Sequence, residues 1–232
     1  MNLIYEKQED APGRRMCGAA ALCMVYRSFG GVVTQQDVWP AISRPNFGGE
    51  PRAHSFLLGA DALERGYAAL TIQARDPWRA LELAAAHDIR TIVNHRLSVT
   101  SGAGHFAVVV AVDDDAVVVH DPQVGPNRRI GRAEFLELWR ADWSGRWRSE
   151  VTGNVLVAFA ADLGDACVCR SCGASSPHSI RCAACARTAP LQPAAVLGCV
   201  DAACGARVWE QIFCPYCDAA CRTLGSAAGS AA

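Results

Sequence analysis

The cysteines constrain this chain more than any other residue type. Of twelve, only Cys17 and Cys23 precede residue 160; the other ten lie between Cys167 and Cys221. A stretch that short buries little core of its own, and cysteine at that density marks a segment cross-linked by disulfides or by metal. The spacing is regular. Cys169-x2-Cys172 is followed by Cys182-x2-Cys185, and Cys199-x4-Cys204 by Cys214-x2-Cys217, with nine residues between the pairs each time. Three positions recur at an offset of 32: 172 and 204, 182 and 214, 185 and 217. The segment is therefore a duplicated four-cysteine unit. A C-x2-C turn presents two thiolates to one ion, and two such turns complete a closed tetrahedron of the structural zinc type. Taken in chain order, one zinc is expected on Cys169, Cys172, Cys182 and Cys185, and a second on Cys199, Cys204, Cys214 and Cys217. Cys167 and Cys221 are left over as alternates or plain thiols.

This arrangement resembles tandem zinc-ribbon modules over residues 167–221. Many such modules bind nucleic acid, which requires a basic stripe to meet phosphates. From residue 161 onward the chain has five arginines and five acids, so the charge points away from nucleic acid and toward a structural or protein-binding role. Trp209, Phe213 and Tyr216 could form a contact face, although covering a small metal-dependent core is the plainer use for them.

The chain has 232 residues, 51% of them hydrophobic and 19% charged, with net charge −1. That is globular composition, enough for one substantial domain (1–162) beside the small module (167–221), with a link at Leu163-Gly164-Asp165 and a flexible tail over 225–232. The first residues lack the apolar core of a signal peptide, and no apolar run approaches a membrane span. A cytoplasmic protein with no membrane span is expected.

Within the first 160 residues, a helix is read from Cys17 to Phe29, closed by Gly30-Gly31. Thr34 and Asp37 form a capping-box pattern opening a short helix that contains Pro40. Further helices are read over Ser55–Arg65, from Asp76-Pro77 to about His87, and from Arg132 to Trp143. Strands are read over Ala69–Gln73, Arg90–Asn94 and Asn154–Ala160. The clearest pair is 106–112 with 116–121, turned at Asp113-Asp114-Asp115. Helices first and antiparallel strands after them make an α+β domain.

Cys17 opens its helix, where free backbone N–H groups and the helix dipole favour thiolate. Cys23 lies mid-helix and reads as a small apolar filler. A thiolate nucleophile needs a base and a group to orient that base. Among His54, His87, His95, His105, His120 and His178, only His105 opens the hairpin whose other strand closes on Asp121. A turn near Asp113 sets these two within a residue or two of opposite, close enough for a side-chain pair. His120 falls on the other face.

Cys17-Gly18-x-Ala20-x-Leu22-x-Met24, an upstream Gln8, Gly104-His105-Phe106 and Asp121-Pro122 together resemble the bacteriocin-processing cysteine peptidases. These are papain-like enzymes that cleave leader peptides after a double glycine. The resemblance spans about residues 3–160. It implies a papain-like α+β fold with Cys17 as nucleophile, His105 as acid–base and Asp121 orienting it. It also implies that the Gln8 side chain and the Cys17 N–H hold the oxyanion. Two departures stand out. Eight residues separate Gln8 from Cys17, about three more than the family has, and the surplus is expected to loop out around Ala11-Pro12-Gly13. Met16 stands where the family often has aspartate. The function implied is hydrolysis of a peptide or protein substrate after Gly-Gly. The alternatives are a leader-binding module that does not cleave, or an isopeptidase or transferase acting on a ubiquitin-like Gly-Gly tail. The tryptophans 139, 143 and 147 read as packing, and the arginines 128, 129, 132, 140, 146 and 148 as a solvated face.

Overall fold

The structure is a computed structural model that describes residues 3–11, 14–46, 48–141, 150–161, 168–191 and 197–221. A small hairpin, β1 (Asp10–Ala11) and β2 (Arg14–Arg15), leads into helix α1 (Cys17–Ser28) and helix α2 (Gln35–Ile42). A second hairpin, β3 (Ser43–Pro45) and β4 (Pro51–Ala53), precedes α3 (Ser55–Glu64). Next come β5 (Ala68–Ala74), α4 (Pro77–Ala86), β6 (Arg90–Arg96), β7 (Gly104–Val112), β8 (Ala116–Asp121), β9 (Gly125–Gly131), α5 (Arg132–Trp139) and β10 (Val155–Ala160). The cysteine-rich segment adds β11 (Ser179–Arg181), β12 (Thr188–Pro190), β13 (Trp209–Phe213) and β14 (Ala220–Cys221). The α+β class read from the sequence is the class found. Trp143, Trp147, Cys167, the 163–165 link and the tail lie outside the described residues.

Helix starts follow local chemistry. Thr34 caps α2 through a complete capping box with Asp37: its side chain accepts from the Asp37 N–H, and the Asp37 carboxylate accepts from the Thr34 N–H. The Asp76 carboxylate caps α4 by accepting from the Arg79 N–H at 3.1 Å, with Pro77 at the first helical position. In α1 every residue from Cys17 to Tyr26 is buried. A helix apolar on all sides belongs inside, and its small alanines let the sheet and neighbouring helices close on it.

Eight strands form one sheet in the order β14-β13-β5-β10-β6-β7-β8-β9, with every neighbouring pair antiparallel. Helices cover both faces. In β10, Leu156 and Ala158 join a core with Trp78, Leu81, Phe135 and Trp139 of α4 and α5. Val157 and Phe159 face the other way, onto Leu22, Ile42 and Leu58 of α1 to α3. A strand buried on both faces reads as an unbroken apolar run, which is why Asn154–Ala160 was easy to place and its two faces were not.

The small hairpins β1–β2, β3–β4 and β11–β12 have no counterpart in the sequence analysis, and neither do two features of the main sheet. β9 is polar, without alternation, and forms the sheet edge. β13 belongs to the cysteine-rich segment, yet it pairs with β5 through Ile212 opposite Ile72 and Phe213 opposite Thr71. Trp209 and Ile212 enter the same core as α4 and α5. The Arg75 N–H donates to the Val208 carbonyl at 2.8 Å and the Gln211 amide donates to Gln73 at 2.8 Å, so the segment is fastened to the main sheet by backbone and side chain.

Candidate active site and metal sites

Two glycines let the reacting groups approach. A Cβ on Gly18 would meet the Ala53 Cβ at 2.8 Å and the Phe106 ring at 3.2 Å, so only glycine lets the start of α1 lie against β7 and β4. A Cβ on Gly104 would meet the Asn94 Oδ1 at 2.9 Å and the Glu150 carbonyl oxygen at 3.3 Å, so a side chain there would displace Asn94 and crowd residue 150 beside His105.

Cys17 is the first residue of α1. Met16 caps it without a side-chain hydrogen bond, and no acid sits in the first turn. The helix N-terminus therefore acts on the thiol uncompensated, where an aspartate at position 16 would have taken up its N–H groups. The buried thiol is a hydrogen-bond partner of the His105 imidazole. Burial pushes the Cys17 thiol up. The hydrogen bond and charge of His105, with the Phe106 and Gly18 N–H groups, outweigh burial and leave it below the ordinary thiol range. Cys23 has no such partners, and burial pushes its thiol up to about 12.

His105 and Asp121 meet as the hairpin requires. In β7–β8, Val108 lies opposite His120; carried on by one residue, that register sets Asp121 opposite Ala107, and His105 is then its diagonal neighbour on the same face. The His105 Nε2 donates to the Asp121 Oδ1 at 2.7 Å, which leaves Nδ1 for the thiol. Burial alone would lower the imidazole pKa; the carboxylate and the Cys17 thiol reverse this and raise it to about 9. Both shifts favour a thiolate–imidazolium pair at neutral pH. Asp121 is fully buried, and burial would raise it. The bonds to His105 and the Gln123 and Val124 N–H groups hold it well below the usual carboxylate range instead.

Arg128 was read as part of a solvated face. Its Nη1 instead donates to the Asp121 Oδ2 at 2.9 Å, which fixes the oxygen that His105 does not use. Only the unread strand β9 brings it there. Its neighbour Arg129 pairs outward with Asp115 at 2.7 Å, as the sequence reading expects. His95, directly opposite His105 in the β6–β7 register, sets its ring edge-on to His105 at 5.5 Å. Its Nδ1 donates to the Arg96 carbonyl at 2.7 Å. Burial and the His105 charge push it down to about 4, so it packs on the His105 imidazole as a neutral ring. His120 does lie on the other face, with Nε2 on the Leu3 carbonyl at 2.9 Å. His87 ends α4 with Nδ1 on the Leu83 carbonyl at 2.9 Å, away from the site.

Gln8 lies beside the aspartate: its backbone N–H donates to the Pro122 carbonyl at 3.0 Å. The surplus residues before Cys17 are taken up by the β1–β2 hairpin, with Asp10 paired to Arg15 and Ala11 to Arg14. Pro12 and Gly13 lie outside the described residues. Because the hairpin folds back on itself, the chain enters and leaves it at neighbouring points, and the insertion adds little distance between Gln8 and Cys17.

Cys17 opens onto a cleft of about 1220 Å³, lined on one side by Arg15, Arg52 and Glu150. Glu150 accepts from Arg15 at 3.0 Å and from the Gly104 N–H at 2.9 Å, bracing the mouth of β7.

All eight knuckle cysteines fall into two groups of four, with sulfurs within 4.8 Å of one another in each. The partition differs from the chain-order expectation. Cys169 and Cys172 group with Cys199 and Cys204, and Cys182 and Cys185 with Cys214 and Cys217. The cause is the short β11–β12 hairpin. Cys182 and Cys185 sit at its tip and Cys169 and Cys172 beyond its base, so successive knuckles point to opposite ends. The second repeat lies alongside the first, and like ends meet. Cross-repeat sulfur pairs lie at 3.9, 3.4, 3.6 and 3.7 Å. A tetrahedron with metal–sulfur bonds of about 2.3 Å has edges of about 3.8 Å, so both groups fit a closed four-thiolate ion; a disulfide would need about 2.05 Å. Cys221 is in neither group.

The sequence profile described as the Peptidase_C39 like family matches residues 1–144. No curated protein matches. Among solved structures, the chain is similar to a C39-like peptidase from Bacillus anthracis, at 13% identity and TM-score 0.52, over 68% of this chain and 94% of that one. It is also similar to the peptidase domain of Streptococcus ComA, a bifunctional ABC transporter of a quorum-sensing pathway, at 20% identity and TM-score 0.48, over 68% and 98%. A third is a double-glycine-motif protease from an AMS/PCAT transporter, solved with its leader peptide, at 17% identity and TM-score 0.46, over 68% and 91%. Likeness at these identities concerns the fold. No helix among the described residues is long and apolar enough to cross a membrane.

Proposed function

The chain belongs to the Peptidase_C39-like family and is a cysteine peptidase, and from that premise we propose that Cys17, His105 and Asp121 form its catalytic triad and cleave after a Gly-Gly pair. One observation carries the reading: a single buried imidazole bonded on one side to the helix-start thiol and on the other to a buried carboxylate at 2.7 Å.

In this mechanism the Cys17 thiolate attacks the carbonyl carbon of the scissile peptide bond. The carbonyl oxygen gains the charge and is held by the Cys17 N–H and the Gln8 side chain. As the C–N bond breaks, His105 gives its proton to the leaving amine, leaving an acyl-enzyme thioester. His105 then takes a proton from water, the hydroxide attacks the thioester carbon, and the peptide acid leaves as Cys17 regains its thiolate. Asp121, held by Arg128, keeps the ring oriented and stabilises its cation. The Gly-Gly preference follows the family resemblance, and the AMS/PCAT relative is itself a double-glycine protease crystallised with a leader.

We also assign two structural zinc ions, one to Cys169, Cys172, Cys199 and Cys204 and one to Cys182, Cys185, Cys214 and Cys217. Four thiolates leave no open position, so neither ion acts on substrate.

The test is turnover of a peptide carrying a fluorogenic amide after Gly-Gly. Cys17→Ala and His105→Ala should each remove about 10³-fold or more of the activity. Full activity in Cys17→Ala would overturn the mechanism.

A further inference from the structure

The cleft that holds Cys17 does not end with the peptidase strands. It is lined in sheet order by Phe106 of β7, Asn94 of β6, Val155 of β10, Thr71 of β5 and Phe213 of β13. Asp218 lines it as well. Phe213 directly precedes Cys214 and Asp218 directly follows Cys217, so these two residues bracket one metal knuckle. We propose that the cysteine-rich segment forms the far wall of the substrate cleft, where Phe213 packs against the peptide and Asp218 selects a cationic side chain.

Geometry sets which part of the substrate this wall reads. Cys17 lies at the β7 end, hydrogen-bonded to His105. From β7 to β13 there are four strand-to-strand steps of about 4.8 Å, or about 19 Å, which an extended peptide covers in about six residues at about 3.3 Å each. The wall therefore meets substrate about six residues from the scissile bond. Charge sets the class of side chain. The other lining acids, Glu50 and Glu150, are tied to Arg52 and Arg15. Asp218 is exposed and is tied to no cation among the described residues. Rigidity comes from two sides: β13 is paired to β5, and the knuckle is closed by its four sulfurs. A left-handed backbone at Asp218 (φ 61°) turns the chain directly after Cys217. Remote contacts of this kind choose the substrate without taking part in the bond-breaking step.

This assignment rests on the triad reading, since Cys17 marks where the scissile bond lies. The test uses the full zinc-loaded chain with Cys17→Ala, so that binding is read without turnover. Four fluorescein-labelled Gly-Gly peptides serve as probes: lysine or glutamate six residues before the cleavage point, and lysine or glutamate six residues after it. Fluorescence anisotropy gives each Kd. On one side of the cleavage point the lysine peptide should bind about threefold or more tighter than its glutamate counterpart. Asp218→Asn should erase that preference and Asp218→Lys should reverse it. Phe213→Ala should weaken both peptides of that pair by about fivefold. Zinc analysis of each variant, at two ions per chain, shows that the knuckle has kept its form. Equal Kd values for lysine and glutamate on both sides, or a lysine preference that survives Asp218→Lys in zinc-replete protein, would overturn the proposal. Failure of the parent chain to cleave any Gly-Gly peptide would sink the triad reading instead, and the anisotropy comparison would still judge the wall.

Discussion

The two ends of the eight-stranded sheet are built on different principles. At the β7–β8 end, strands of six to nine residues are buried under α1, α4 and α5; register sets His105 beside Asp121, and the start of α1 brings in Cys17. At the β13–β14 end, strands of five and two residues lie next to the cysteine groups, and the buried side chains Trp209 and Ile212 enter the core under α4 and α5. Apolar cover on both faces holds the first end; the second is held by pairing to β5, by Trp209 and Ile212 in the α4–α5 core, and by the two four-cysteine groups beyond it. The comparison teaches that a segment with short strands and little core of its own can extend a larger sheet by lending its few apolar side chains to that sheet's core.

The largest expected effects lie wholly at the first end. Asp121→Asn should cut turnover less completely than Cys17→Ala or His105→Ala, because the carboxylate charge that orients the ring and stabilises its cation is lost while the nucleophile–base pair remains. The pH profile adds a sign. Thiolate must be present, so activity rises with pH through an acid limb lying below the ordinary thiol range. Imidazolium must be present to protonate the leaving amine, so activity falls as pH passes His105, near 9. These limbs belong to the coupled pair. Removing the Asp121 charge lowers the imidazole pKa, so the alkaline limb of kcat/KM should move to lower pH. An unmoved limb would mean that Asp121 does not act on His105.

A smaller and more local effect separates the two ends. Metal chelation followed by hydrogen exchange should deprotect the amides of residues 168–221 and those of β5 that face β13. Strands β6, β7 and β8 should keep their protection, since their cover is apolar. Uniform loss along the whole sheet would show one cooperative unit, and no loss at all would show that the knuckles need no metal.

Legibility in the sequence divides along the same line. The Cys17 helix start, the Thr34 capping box, the Asp76 cap and the 106–121 hairpin are decided by residues a few positions apart, and each appears where local chemistry puts it. The His105–Asp121 contact was legible because a short turn fixes its register. Arg128 was not, because β9 carries no period-2 signal and its role depends on which strand lies beside it. The β13–β5 pairing joins residues some 140 positions apart, as Gln211 and Gln73 do, and nothing in either strand names the other. The metal partition was present in the sequence but misread. The offset of 32 marks cysteines that share a site, because repeats lying side by side bring equivalent positions together.

Everything proposed for the first end depends on Cys17 being an activated nucleophile. The most direct measurement is its alkylation by iodoacetamide in the zinc-loaded chain near pH 7, read by peptide mass against Cys23 in the same helix. Cys17 should label many-fold faster, because His105 lowers its thiol while burial holds Cys23 near 12, and His105→Ala should remove most of that advantage. Labelling of Cys17 no faster than Cys23, or an advantage untouched by His105→Ala, would contradict a thiolate–imidazolium pair at this site.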